Sequence, residues 1–149
     1  MEANFDSVWR RVTGTAGPER EQVRLKRWFD TETELGSLCT QLARSAPEPE
    51  VRRLFRELLR STEGRLRELN TMSFLRTGQR FSRAQAESAE RLGRREALRE
   101  CYCLVWELAQ DYRQAAEDGK PDFRALCNRL ADSGERLAER LWNLALRSV

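Results

Sequence analysis

Apolar residues in this chain recur every three or four positions over long stretches, the spacing that lays one stripe along an α-helix. Four such stretches are present. The first covers 19–45 and carries Leu25, Phe29, Leu35, Leu38, Cys39 and Leu42; it stops where Pro47 and Pro49 break the pattern. The second covers 49–75, through Val51, Leu54, Phe55, Leu58, Leu59, Leu66, Leu69 and Met72. Pro49 suits its first turn and Glu50 suits the positive helix end. The polar stretch RTGQRFSR, 76–83, reads as a loop. A third helix is expected over 86–117, through Leu98, Tyr102, Val105, Leu108, Ala109 and Tyr112, with Gly119 placed to end it. Pro121 opens the fourth, through Phe123, Leu126, Leu130, Leu137, Leu141 and Leu144. Tyr102, Trp106 and Tyr112 recur at helical spacing and read as core aromatics.

The second and fourth stretches repeat one another. Residues 49–69 align without gaps on 121–141, and seven pairs are identical: Pro49/Pro121, Arg52/Arg124, Leu54/Leu126, Leu58/Leu130, Ser61/Ser133, Glu63/Glu135 and Leu69/Leu141. The helices before them agree at an offset of 73, where Glu34/Glu107, Leu35/Leu108, Gln41/Gln114 and Ala43/Ala116 coincide. Two segments repeated in the same order, each pair joined across a proline-containing linker, describe a duplicated αα-hairpin. The apolar face of one hairpin is buried only against the other. The expected fold is an all-α four-helix bundle over 19–149, preceded by a segment, 1–18, that holds a short helix. In that segment residues 5, 8, 9 and 12 are apolar at helical spacing, and Phe5, Trp9 and Val12 are placed to dock on the bundle end or, if exposed, to form a dimer contact.

Composition narrows the chemistry. A chain of 149 residues fits one domain with a proper core. The formal net charge of +3 calls for no nucleic-acid partner. Of the 27 basic residues only Lys26 and Lys120 are lysine, and Arg and Glu alternate at helical spacing as solvated faces do. No apolar run approaches the roughly 18 residues of a membrane span, and the acidic N-terminus lacks a signal-peptide pattern, so a cytoplasmic protein is expected. Cys39, Cys101, Cys103 and Cys127 show no metal-ligand spacing and read as free, buried thiols. There is no histidine. That removes the commonest general base and the commonest transition-metal ligand, and with them every Ser-His or Cys-His scheme.

The duplicated hairpin resembles the ferritin-like superfamily, and within it the rubrerythrin-type bundles. The resemblance spans about 25–145. It implies a Glu followed by a Tyr seven residues later on the first and third helices, and Glu-x-x-His trailed by Leu on the second and fourth. Four helices would then hold two iron or manganese ions in mid-bundle. The frame is present: Cys39 and Tyr112 stand at the Tyr positions, with Leu69 and Leu141 as the trailing leucines. The ligands are not. On this frame the ligand positions fall on Glu32, Thr62, Arg65, Val105, Gly134 and Leu137, of which only Glu32 keeps a ligand. Sliding the frame by one puts Glu63 and Glu135 at carboxylate positions but Leu66 and Ala138 at the imidazole positions, and it moves both carboxylates off the apolar seam.

The resemblance therefore implies a bundle without its metal centre and with no catalytic residues. Glu32 would be an inward carboxylate in need of a partner. Arg65, at a former imidazole position, is expected to take the place of the cation and to fork onto Glu32 with two nitrogens. No cofactor is expected. Three function classes follow. The first is a non-enzymatic bundle working through protein contacts, as a homo-oligomer or with another protein; the broad apolar surface around Leu141, Trp142, Leu144 and Leu146 is a candidate contact. The second is a di-metal oxidoreductase that rebuilt an iron or manganese site from Glu32, Glu107 and neighbouring carboxylates. The third is a small-molecule or redox sensor using the vacated core and thiols such as Cys39 and Cys101.

Overall fold

Four long helices carry the described chain. The computed structural model describes residues 17–83 and 92–147. Helix α1 runs Gly17–Ser45, α2 Pro49–Thr77, α3 Arg94–Asp118 and α4 Pro121–Arg147, with no strand among the described residues. The all-α four-helix expectation holds. The expected short helix within 1–18 lies outside the described residues.

Each helix buries the stripe its sequence announces. On α2 the buried positions are Phe55, Leu58, Thr62, Arg65, Leu66, Leu69 and Ser73, spaced three and four apart. On α4 they include Phe123, Leu126, Leu130, Gly134, Leu137 and Leu141. Trp28, absent from the expected core, is one of its largest members at 1% exposure. It meets Tyr112 edge-on at 4.9 Å and stacks on Phe123 at 6.0 Å. The aromatic expectation divides: Tyr112 is fully buried, Tyr102 is half-buried, and Trp106 is exposed. Trp106 points outward because Val105 and Leu108 already occupy the inward positions beside it.

The duplication is visible in the hairpin turns. Arg52 Nη1 reaches back to donate to the Pro47 carbonyl at 3.0 Å, and Arg124 Nη2 donates to the Gly119 carbonyl at 3.3 Å, the equivalent pair in the second hairpin. Backbone N–H groups of the same arginines close the first turns onto Glu48 and Lys120. Within this frame α1 lies antiparallel to α3, as the contacts Arg27–Asp111 and Cys39–Cys101 require. Likewise α2 lies antiparallel to α4, through Glu57–Arg140, Ser61–Ser133 and Glu68–Arg129.

The two hairpins are joined by a crossover. Gly78, at φ 74°, ends α2 in the left-handed conformation that glycine adopts without a Cβ clash. The chain then returns along the α1–α2 face. Phe81 packs on Phe29 at 5.3 Å, its N–H donates to Asn70 Oδ1 at 2.7 Å, and Arg83 pairs with Glu63. It arrives at the far end where Gln41 Nε2 donates to the Leu92 carbonyl at 3.2 Å. The third helix begins at Arg94, later than the expected 86, with Leu92 and Gly93 non-helical. Gly93, at φ −57° and ψ 157°, is outside helical backbone and sets the start at Arg94; residues 84–91, with the expected helix start among them, lie outside the described residues. Among the described residues no helix is long and apolar enough to cross a membrane.

Candidate functional site

Mid-bundle, the helices bring one polar cluster together. Glu32 sits on the inward face of α1 at 0% exposure, and Arg65 on that of α2 at 4%. Arg65 Nε donates to Glu32 Oε1 at 2.7 Å. Tyr112, from α3, donates its hydroxyl to the same oxygen at 2.7 Å. The rest of the guanidinium turns away. Nη1 donates to Ser61 Oγ at 2.7 Å and to Ser133 Oγ at 3.0 Å, and Nη2 donates to Thr62 Oγ1 at 3.0 Å. The contact with Glu32 is thus single, where a two-nitrogen fork was expected. The reason is that Ser61 and Thr62, on Arg65's own helix face, capture the distal nitrogens. Thr62 in turn donates to the Leu58 carbonyl at 2.9 Å.

The expected ligand positions divide by half-bundle. Glu32, Thr62 and Arg65 form the polar half. Their repeat equivalents Val105, Gly134 and Leu137 are also buried and offer no donor atom. Gly134 has no room to spare: a Cβ there would lie 3.1 Å from Ala109 Cβ. The same asymmetry governs the flanks. Trp28 and Tyr112 touch on one side, while their equivalents Cys101 and Cys39 meet on the other with sulfurs 3.9 Å apart. Glu63 and Glu135, the ligands of the slid frame, sit on the surface with Arg83 and Arg113 as partners.

The electrostatics follow from burial. Burial opposes the Arg65 charge, but the field of Glu32 and its hydrogen bond more than offset this, holding the guanidinium above its ordinary value. Tyr112 is pushed well up by complete burial and then by Glu32, so its proton stays on the phenol and is available to donate. The Cys101 thiol is pushed up by its contact with Cys39 and by burial. Glu32 Oε2 and Trp28 Nε1 are buried without a protein partner among the described residues. The carboxylate is held through one oxygen only.

These residues do not fit a two-metal centre. Such a centre needs several carboxylates or imidazoles converging from four helices. Here one carboxylate converges, and a guanidinium already stands against it at 2.7 Å. Among the described residues no group of three Cys, Asp or Glu side chains is arranged to hold a metal ion. Tyr112, Ser61 and Ser133 belong to the cluster and were not foreseen as partners of Glu32 and Arg65. The identity of Ser61 and Ser133 across the repeat was the available signal, since equivalent inward positions on antiparallel α2 and α4 face one another.

No protein-family model matches the chain, and no curated protein matches it. Among solved structures the chain is similar to the X-ray structure of Dps from Thermosynechococcus elongatus. The TM-score is 0.74 at 16% identity, over 89% of this chain and 94% of that one. Likeness at that identity concerns the fold alone. Two antiparallel hairpins, joined by a crossover the length of the bundle, make this chain a ferritin-like four-helix bundle in fold.

Proposed function

We propose that this protein is a metal-free ferritin-like bundle, descended from a rubrerythrin-type frame, that acts in the cytoplasm through contacts with copies of itself or another protein. The observation that carries the reading is the Arg65 guanidinium, 2.7 Å from the one carboxylate retained at a ligand position. A fixed cation on a side chain balances Glu32 as a bound metal would, and it leaves no open coordination position at which chemistry could occur.

The contact role rests on the surface. Trp106 and Trp142 are 47% and 52% exposed on the adjacent helices α3 and α4, and the Tyr102 ring, one helical turn from Trp106 in sequence, lies 5.9 Å from Trp142. Exposed aromatics at that density mark interfaces. The sensor reading has the Cys39–Cys101 approach in its favour, but the reactive form of a thiol is the thiolate, and burial disfavours it at Cys101.

Two measurements on purified protein test the proposal. Elemental analysis is expected to find iron and manganese far below one ion per chain. Light scattering is expected to give a multiple of the 17.4 kDa chain mass, and Trp142→Glu should lower it. Stoichiometric iron or manganese would overturn the metal-free reading. A wild-type mass of one chain, with no change on substitution, would overturn self-association.

A further inference from the structure

We propose that the groove between α2 and α4 binds a medium-chain carboxylate, its head on Ser61 and Ser133 beside Arg65 and its hydrocarbon running towards Met72 and Leu126. This goes beyond the contact role and does not depend on it. The helices α2 and α4 are the neighbouring pair that touch least. Between them lies a cavity of about 790 Å³, lined by those residues together with Gly64, Arg67, Glu68, Thr71, Leu75 and Arg129. That volume falls in the range of about 300–1,000 Å³ typical of small organic ligand sites. Phe81 and Arg83, the described start of the crossover, run along the α1–α2 face instead.

Donor arithmetic at the floor points to an acceptor. Arg65 Nη1 spends its two protons on Ser61 Oγ and Ser133 Oγ. The two hydroxyls stand 3.2 Å apart, so one donates to the other. The second hydroxyl proton then has no acceptor in the protein among the described residues, although each threonine of α2 finds a backbone carbonyl. A hydroxyl proton on a partly buried floor, beside a guanidinium that is almost wholly buried, is a ready donor to an anion.

Charge selects the sign of the ligand. Glu32 balances Arg65, and Glu68 stands 3.6 Å from Arg129. Arg67 has no carboxylate partner among the described residues, which leaves the groove one positive charge in excess. Chemistry then changes along its length. From Ser133 to Leu126 the groove follows α4 for about 10 Å at 1.5 Å per residue, within reach of an extended medium-length chain, passing from hydroxyls and guanidinium to Leu126 and, on α2, Met72. A head that accepts hydrogen bonds and carries one negative charge, followed by an unbranched apolar tail, complements both ends.

Calorimetric titration of the full chain with decanoate, below its micelle-forming concentration, tests this. One saturable site per chain is expected, with decylamine (the same tail, opposite charge) weaker by about tenfold or more. The Ser61→Ala/Ser133→Ala double variant should weaken decanoate by about tenfold. Because that pair also supports Arg65, Gly64→Leu provides an independent arm. A Cβ at Gly64 meets nothing closer than Arg67 Nη2 at 3.9 Å, so the variant should fold and block the groove. Decylamine binding as tightly as decanoate, unchanged binding by Gly64→Leu, or no saturable binding at all would each overturn the proposal.

Discussion

Arg65 is the residue on which the bundle interior depends. Its neighbours account for each of its nitrogens: Nε for Glu32, Nη1 for the two serines, Nη2 for Thr62. A buried ion pair gains little over hydrocarbon, because desolvation cancels most of the attraction, but removing one partner strands the other charge. Arg65→Ala should therefore cost about 3–5 kcal/mol in urea unfolding. The second half-bundle supplies a control, since it places Val105 and Leu137 where the first has Glu32 and Arg65. Glu32→Val with Arg65→Leu, and Tyr112→Phe to remove the orphaned phenol, should be more stable than Arg65→Ala alone. A single-variant cost under about 1 kcal/mol would show that Arg65 does not hold the Glu32 charge. The family resemblance placed Glu32 and Arg65 in the same interior. Which nitrogen made the contact was decided by the local competition from Ser61 and Thr62.

At the scale of the helix, two glycines at neighbouring places in the repeat behave oppositely. Gly134 lies where α4 crosses α3, and a Cβ there would crowd Ala109 Cβ at 3.1 Å. Gly64 faces the open groove, with Arg67 Nη2 at 3.9 Å as its nearest neighbour. Gly64→Ala should stabilise by about 0.5–1 kcal/mol, the helix-propensity difference. Gly134→Leu should destabilise by about 1–3 kcal/mol, because overpacking must push two helices apart. Thermal or urea unfolding of both variants checks the pair, and equal effects would contradict the packing described. Helix extent was legible where punctuation was strong: Pro49 and Pro121 start α2 and α4 where expected. The start of α3 was not: the non-helical backbone of Gly93 sets it at Arg94, and a single glycine within a periodic stretch does not announce a helix start by itself.

Across the whole molecule, several buried acids hold their protons. Burial raises Cys127 from its ordinary 9.0 to about 11, against the opposing fields of Arg24 and Arg76. Cys101 and Tyr112 are raised as well. For a group whose folded value is raised, stability is fully present below the unfolded value and is lost as pH rises towards the folded one. The bundle should therefore keep its stability up to about pH 9 and lose it progressively above, and Cys127→Ala should flatten the loss between 9 and about 11. Urea midpoints measured across that range check this; a wild-type midpoint that does not fall above pH 9 would contradict it.

The sequence by itself determined the helical class, the duplication and most of the inward positions, because each of these depends on periodicity along one chain and is set by local geometry. Tertiary structure alone decided the rest. It closed Tyr112 onto Glu32, joined Ser61 to Ser133, left α2 and α4 apart as a groove, and turned Trp106 outward while burying Trp28. These outcomes depend on the distance between helices, which is set by the summed volumes of side chains far apart in sequence.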